Sequence, residues 1–356
     1  MGASLELIPS SILDAYGLDP TAVERSTDGL INQTWFVKKR LGSRFVLQRL
    51  HRAIGPQVNM KIHRVTQHLA SLDLCTPMLV MDNAGQDCVV CDGFVWRLLS
   101  YVAGKSFSNV PDLRYAREAG SVLASFHCAL LDYPDVREFE PSQIHNLTSH
   151  LENLDQALKD HASHVRFAEI QMLAQEIMRN AESLPRVRES APCIVHGDPK
   201  ISNILFDPNG RGLCMVDLDT VGLMPIVWEL GDAFRSWCNP HDEDAPVSVF
   251  SLDVFKAALE GYVSGRTVPI ELQDAAAIVG ATRTIYTELA ARFCADALSE
   301  SYFAWDPTRF DTRTDHNLAR ARNQLNASSD LAKKRAQAEE IVQRVFAHRA
   351  QARDSQ

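Results

Sequence analysis

Residues 194–218 constrain the fold of this chain more than any other stretch. Two apolar runs, 204–206 and 213–216, flank Asn209-Gly210, a dipeptide that favours the tight turn of a β-hairpin. The surroundings read as helix. Ala116, Ala119, Leu123, Phe126 and Leu130 recur at helical spacing, as do Ile285, Leu289 and Phe293 within 281–298. A last helix is expected over about 330–347, burying Ala338, Ile341, Val342, Val345 and Phe346, with Lys333-Lys334-Arg335 as a solvated face. A lone hairpin is marginal in water, so this one must be held by the helices around it. The first hundred residues differ. Strand-like runs at 28–37 and 44–50 are joined by a charged turn at 38–43, and Pro56 opens a helix with Val58, Ile62, Val65 and Leu69 on one face. A second hairpin, 87–91 with 94–102, pivots on Asp92-Gly93. The pattern predicts an α+β protein with a small sheet-plus-helix lobe, 1–102, and a larger, mainly helical lobe, 103–356.

Composition narrows the partners. Thirty-six basic against forty-five acidic side chains give a net charge of −9, without the one-sided basic surface that nucleic acid requires. Arg97 interrupts the longest apolar run, 94–102, so no membrane span is expected. The first eighteen residues lack a basic and an apolar export segment, and Glu6 does not fit a myristoylation pattern, which makes a cytoplasmic location the expectation. Eight cysteines show no repeated metal spacing; Cys88 and Cys91, offset by three in a strand-like run, read as structural. His161 and His164 share a helix face with no second ligand pair nearby, and read as solvated.

The hairpin also carries the chain's chemistry. Val195-His196-Gly197-Asp198-Pro199-Lys200-Ile201-Ser202-Asn203 leads into its first arm, and its second runs into Met215-Val216-Asp217-Leu218-Asp219. Phosphoryl transfer from ATP needs a carboxylate that orients a hydroxyl and takes its proton, together with oxygen ligands that hold Mg²⁺ against the phosphates. An H-x-D-x-x-x-x-N loop with a further Asp across a hairpin supplies both. Asp198 is the expected base, Asn203 a metal ligand through its amide oxygen, and Asp217 the carboxylate bridging metal and phosphate. Lys200 could offset charge on the transferring group. Such residues are also common in turns, but the loop, its offsets and the downstream Asp agree on this chemistry. Asp219 has two readings, a third metal ligand or a residue that caps or orients the loop.

These residues resemble the aminoglycoside-phosphotransferase and choline-kinase superfamily, small-molecule kinases with a bilobal, protein-kinase-like fold, and within it the N-acetylhexosamine 1-kinases. The similarity also runs through 29–35, Val46-Leu47-Gln48-Arg49, 216–221, 231–235, 288–296, Tyr302-Phe303 and 316–320. The resemblance implies ATP and Mg²⁺ as cofactors and a small hydroxylated acceptor, foremost the C1 hydroxyl of an N-acetylhexosamine. It places Gly29, Asn32 and Thr34 in the phosphate-covering loop, Leu99 and Tyr101 in the adenine linker, and Gln48 where protein kinases carry a phosphate-clamping Lys. The sugar 1-kinases also tend to have Gln there. On the acceptor side it implies Asp232, Arg235, Arg292 and Tyr302. Glu288, Arg292 and Asp296, at successive offsets of four, have a plainer reading as intrahelical ion pairs. Leu30 stands where the relative has a histidine, and 296–302 is one residue shorter, so an amino alcohol, homoserine or an aminoglycoside stay open as acceptors. Gln48 also raises a different class, a nucleotide-binding regulator without catalysis. The sequence does not indicate an oligomeric state.

Overall fold

The computed structural model describes residues 8–26, 32–39, 42–52, 54–142, 144–188 and 190–354. The chain forms two compact units, Met1–Ala103 and Gly104–Gln356.

In the first unit α1 (Ser10–Tyr16) is followed by β1 (Leu18–Arg25), β2 (Gln33–Lys39), β3 (Arg44–Arg49), α2 (Gln57–Ser71), β4 (Leu79–Val80), β5 (Val89–Cys91) and β6 (Phe94–Ser100). The strands form one antiparallel sheet in the order β1-β2-β3-β6-β4, with β5 paired to β6. Because side chains alternate along a strand, the register Trp35↔Leu47 and Leu47↔Leu98 sends these residues to one face, where Ile12 and Tyr16 of α1 join them. Trp35 and Trp96 stack there at 5.3 Å. The next row, Thr34, Gln48 and Arg97, faces the other way, and Arg97 Nη1 reaches Asn59 Oδ1 of α2 at 3.5 Å. Asp92 and Gly93 both take positive φ, 52° and 74°, as the second hairpin requires. Strand β1 was not among the expected elements; pairing with β2 makes the segment a strand. Of the run 28–37, residues 28–31 lie outside the described ones.

The second unit contains α3 (Leu113–Ala129), α4 (Leu147–Asp160), α5 (Phe167–Glu182), β7 (Cys193–Val195), β8 (Ile204–Phe206), β9 (Gly212–Met215), β10 (Gly222–Met224), α6 (Ile226–Trp237), α7 (Leu252–Gly265), α8 (Leu272–Ser299), α9 (Arg313–Lys333) and α10 (Arg335–Asp354). Helix α8, 28 residues long, is buried on nearly every side and packs against α4, α5, α6, α9 and α10. Leu154, Ile170, Leu173 and Ile177 meet Phe293, Cys294, Leu298 and Leu318 in the core along it. No described helix is long and apolar enough to cross a membrane.

Three expectations are corrected here. The span 330–347 is two helices that break at Lys334, whose ammonium donates to Phe250 O (2.9 Å) and pairs with Asp330 (2.6 Å), so it is a tertiary tie and not part of a solvated face. His161 and His164 stand in the turns after α4, which ends at Asp160. The extra strand β10 pairs with β7 and anchors the start of the reactive hairpin. All eight cysteines are free, and Cys91 packs against the core of the first unit.

Helices α3 and α7 cross backbone to backbone. A Cβ on Gly120 would lie 2.0 Å from Ala258 O, and one on Gly261 only 1.9 Å from Arg117 O. Gly261→Ala is therefore expected to force the helices apart and destabilise the protein by about 1–3 kcal/mol, read as a lower denaturation midpoint. Adding Gly120→Ala at the same crossing should cost less than the sum of the two single changes, because the separation is already made.

Candidate active site

Two short ladders frame the reactive loops. β7 pairs with β10, Val195 opposite Gly222, and β8 pairs with β9, Ile204 opposite Met215. Residues 196–203 connect β7 to β8 and close in a 3-10 turn, Ile201–Asn203; β9 leads to Asp217, at φ +63°, and the 3-10 turn Leu218–Thr220 before β10. The loops touch at Gly197, φ +83°, where a Cβ would lie 2.4 Å from Thr220 O, so glycine is required for both conformation and space. His196 stitches them together. Its Nε2–H donates to Val216 O at 2.8 Å while Nδ1 accepts from Asp198 N at 3.3 Å, a pattern that fixes the neutral Nε2–H tautomer. Val216 N donates to Asn203 O at 2.8 Å, which sets Asn203 beside the residue that precedes Asp217.

Within this frame Asp198 Oδ2 receives Lys200 Nζ at 2.8 Å and Asn203 Nδ2 at 3.0 Å, and Asn203 Nδ2 also donates to Asp198 O at 2.9 Å. Among the described residues none donates to Asp198 Oδ1. Burial alone would lower the lysine pKa, but the carboxylates of Asp198 and Asp217 outweigh it and hold Lys200 above its ordinary value, as a cation. With its nitrogen committed to Asp198, Asn203 keeps its amide oxygen as an acceptor. That oxygen and the Asp217 carboxylate are oxygen donors of the kind that could hold a hard divalent cation. Among the described residues no group of three or more His, Cys, Asp or Glu forms a metal centre. Asp219 sits in the turn after Asp217.

A layer of residues behind the loop was not anticipated from the sequence. Glu229 of α6 is fully buried, and its carboxylate accepts His196 N at 2.9 Å and Gly197 N at 3.0 Å. Behind it His127 Nε2 stands 3.4 Å from Oε1, His127 Nδ1 is 2.8 Å from Tyr262 Oη, and Arg266 Nη1 donates to that hydroxyl at 2.9 Å. Burial holds the His127 pKa down despite Glu229, so the ring is neutral and the chain runs from Arg266 through Tyr262 and His127 to Glu229. Trp237 Nε1 donates to Pro199 O at 2.8 Å, and Ser236 Oγ accepts Ile201 N at 3.3 Å. One signal was available: Ile226 and Ala233 flank Glu229 at helical spacing, which puts the carboxylate on the buried face of α6.

The structure brings Asp232 and Arg235 together, Arg235 Nη2 lying 2.6 Å from Asp232 Oδ1, with Glu243 at 3.4 Å from Nη1. The intrahelical ion pairs along α8 do not form. Glu288 faces His145 at 3.0 Å, Asp296 accepts the amides of Ser301, Tyr302 and Phe303, and Arg292 lies over the rings of Tyr302 (5.8 Å) and Phe303 (5.5 Å). In the first unit Gln48 Oε1 accepts from Arg97 Nε at 2.8 Å, and Gln48 Nε2 faces Thr34 Oγ1 at 3.4 Å. Asn32 Oδ1 accepts His51 N at 3.0 Å; Leu99 pairs with Val46; and Tyr101 packs edge-on to Phe36 under the Arg44 guanidinium. Gly29 lies outside the described residues.

Comparison with known proteins identifies the family and the fold. Residues 22–262 match the phosphotransferase enzyme family. A homoserine kinase from Methylobacterium radiotolerans is 25% identical over 262 residues, 70% of this chain and 73% of that protein. Two solved structures share the fold. An amicoumacin kinase, in complex with AMP-PNP, Ca²⁺ and Ami, superposes with a TM-score of 0.63 at 14% identity, covering 91% of this chain and 93% of that one. An aminoglycoside phosphotransferase from Alicyclobacillus acidocaldarius gives 0.62 at 17% identity, covering 95% and 98%. The fold is thus bilobal, α+β and kinase-like, and with the family match spanning well over half of its length the chain belongs to the phosphotransferase enzyme family, as a small-molecule kinase with a hydroxyl acceptor.

Proposed function

We propose that the protein transfers the γ-phosphoryl group of ATP to a hydroxyl of a small metabolite, with Asp198 as the base. The observation that carries this reading is the state of the Asp198 carboxylate: Oδ2 is held by Lys200 and Asn203, and Oδ1 is left to accept a hydroxyl proton. Lys200, kept cationic by its carboxylate neighbours, would steady charge that develops on the transferring group. Asn203 Oδ1 and Asp217, with Asp219 as a further candidate, would hold Mg²⁺, which when bound neutralises phosphate charge. Asn32, Thr34, Gln48, Leu99 and Tyr101 of the first unit are proposed nucleotide contacts, along with Gly29. The presence of Asp198, Asn203 and Asp217 together supports an enzyme over a regulator without activity.

For the acceptor, the resemblance to hexosamine 1-kinases supports the anomeric hydroxyl of an N-acetylhexosamine, with Asp232, Arg235, Arg292 and Tyr302 on the sugar side. Similarity to a homoserine kinase over 70% of the chain favours a second reading, the primary hydroxyl of an amino acid. The two separate cleanly. A 1-kinase consumes the free reducing sugar and leaves its methyl glycoside untouched, since blocking C1 removes the nucleophile; product phosphorylated at C6, or turnover of homoserine alone, discards the sugar 1-kinase reading.

Asp198→Asn is expected to lower kcat by about two or more orders of magnitude with Mg·ATP affinity largely kept, measured by ADP release and calorimetry. Full activity in this variant would sink the base assignment. Asn203→Ala and Asp217→Ala should instead weaken Mg²⁺-dependent nucleotide binding, each by removing one oxygen ligand. Glu229→Ala leaves two buried loop amides without an acceptor, at about 1–3 kcal/mol each, and should lower both the melting temperature and kcat.

A further inference from the structure

His145 is the buried group for which the chemistry above has no use. Its segment is pinned on both sides: Pro141 pairs with Leu223 of β10, Ser142 N donates to Leu223 O at 2.8 Å, and His150 Nε2 donates to Ile144 O at 2.9 Å. β10 follows the Asp217–Thr220 turn and pairs with β7, which runs directly into His196. The imidazole Nδ1 lies 3.0 Å from Glu288 Oε2, and the two side chains are only 7% and 2% exposed. The other ring nitrogen, Nε2, is buried and has no hydrogen-bond partner among the described residues.

Its surroundings tie it to the reacting end of the unit. Two residues before Glu288 on α8, Tyr286 donates its hydroxyl to Arg235 O at 2.9 Å, and Arg235 is paired with Asp232. Against its burial, Asp232 is held below the usual carboxylate range by Arg235, His145 and Lys200, so it lies within electrostatic reach of both His145 and the partner of Asp198. For His145 itself, burial pulls the pKa down, but Glu288, Asp232 and Glu229 outweigh it and raise the pKa above its ordinary value. In the protonated form, which this shift favours, both ring nitrogens are donors. A buried N–H left without an acceptor is costly, a cost that a ligand oxygen would remove.

We propose that His145 is a contact residue of the acceptor subsite: with Nδ1 locked on Glu288, its Nε2–H donates to an uncharged hydroxyl or carbonyl oxygen of the phosphoryl acceptor. The inference rests on the kinase reading above. The group is not an anion because the cations here are already balanced, His145 by Glu288 and Arg235 by Asp232 and Glu243, so no positive charge remains to offset one, and it is not a cation because an N–H donor needs a lone pair to bond.

The test compares wild type, His145→Ala, His145→Gln and Glu288→Gln on N-acetylglucosamine, N-acetylgalactosamine, homoserine and choline, with Mg·ATP affinity by calorimetry and melting temperature as controls. His145→Ala should raise KM for the accepted sugar about ten- to a hundredfold while keeping Mg·ATP affinity. His145→Gln restores an N–H donor and should recover part of the loss. In wild type, kcat/KM for the acceptor should fall as pH rises through the raised imidazole pKa, because deprotonation removes the Nε2 donor. Glu288→Gln removes the charge that raises this pKa and should move the fall to lower pH, a shift that a purely structural pair would not produce. An unchanged acceptor KM in a folded His145→Ala variant overturns the proposal, as does an unmoved pH limb in Glu288→Gln should the alanine variant fail to fold. Homoserine or choline as the sole substrate overturns the assignment of an uncharged group. A wild-type protein that binds Mg·ATP yet turns over none of the probes brings down the functional reading itself.

Discussion

The carboxylate of Glu229 is where the helical unit takes hold of the reactive loop. A buried carboxylate is costly unless its oxygens are satisfied, and here two successive backbone amides, His196 N and Gly197 N, satisfy them. The bond works in both directions. It satisfies the carboxylate, and it fixes the peptide just before Asp198 relative to α6, which packs against the long, largely buried α8. His127, Tyr262 and Arg266 then hold the carboxylate from behind, so its position is set by helices α3 and α7, which approach closely enough only because Gly120 and Gly261 face each other's backbones. Order in the loop is built into the fold before any ligand arrives, the condition under which fixed dipoles and charges act most strongly on a reacting group.

Charge around the loop is organised in pairs. Lys200 faces Asp198, Arg235 faces Asp232 and His145 faces Glu288, each in contact and each at least partly shielded from water. The pKa directions agree with this: Lys200, Arg235 and His145 are raised and Asp232 is lowered, in each case against burial. Pairing favours the charged forms of Lys200, Arg235, His145 and Asp232 against their burial. The site therefore presents directional donors and acceptors, which suits recognition of a polar acceptor by hydrogen bonds more than capture of an ion by bulk charge.

What the sequence made legible follows from how local each feature is. Two of the hairpins could be read because Asp92-Gly93 and Asn209-Gly210 encode their turns within two residues, and the loop before the second stood out because phosphoryl-transfer chemistry asks for fixed offsets such as those from His196 to Asn203 and a carboxylate such as Asp217. Strand β1, strand β10 and the break at Lys334 were not legible, since each is set by pairing with residues distant in sequence: β1 by β2, β10 by β7, and the break by Phe250 O drawing in the lysine. Glu229 and His145 escaped for the same reason. Their partners lie 33 and 143 residues away, and a lone acidic or histidine residue on an apolar face does not announce which backbone amide or carboxylate it will meet.

The same logic explains the departure at position 48. In protein kinases the residue at this place on the third strand is a lysine. Here Gln48 stands opposite Arg97 across the β3–β6 ladder, and Arg97, 1% exposed, donates to its Oε1 at 2.8 Å while reaching toward Asn59 on α2. A lysine has no acceptor to offer Arg97, and its ammonium would set a second cation against a buried one, which low polarity makes strongly unfavourable. Glutamine fits both needs: its oxygen serves the arginine and its nitrogen turns to Thr34. Glutamine at 48 and arginine at 97 are one coupled solution, in which positive charge is retained in the sheet but carried by the neighbouring strand. The missing lysine thus records where this lobe keeps its cation, and by itself argues nothing about loss of catalysis.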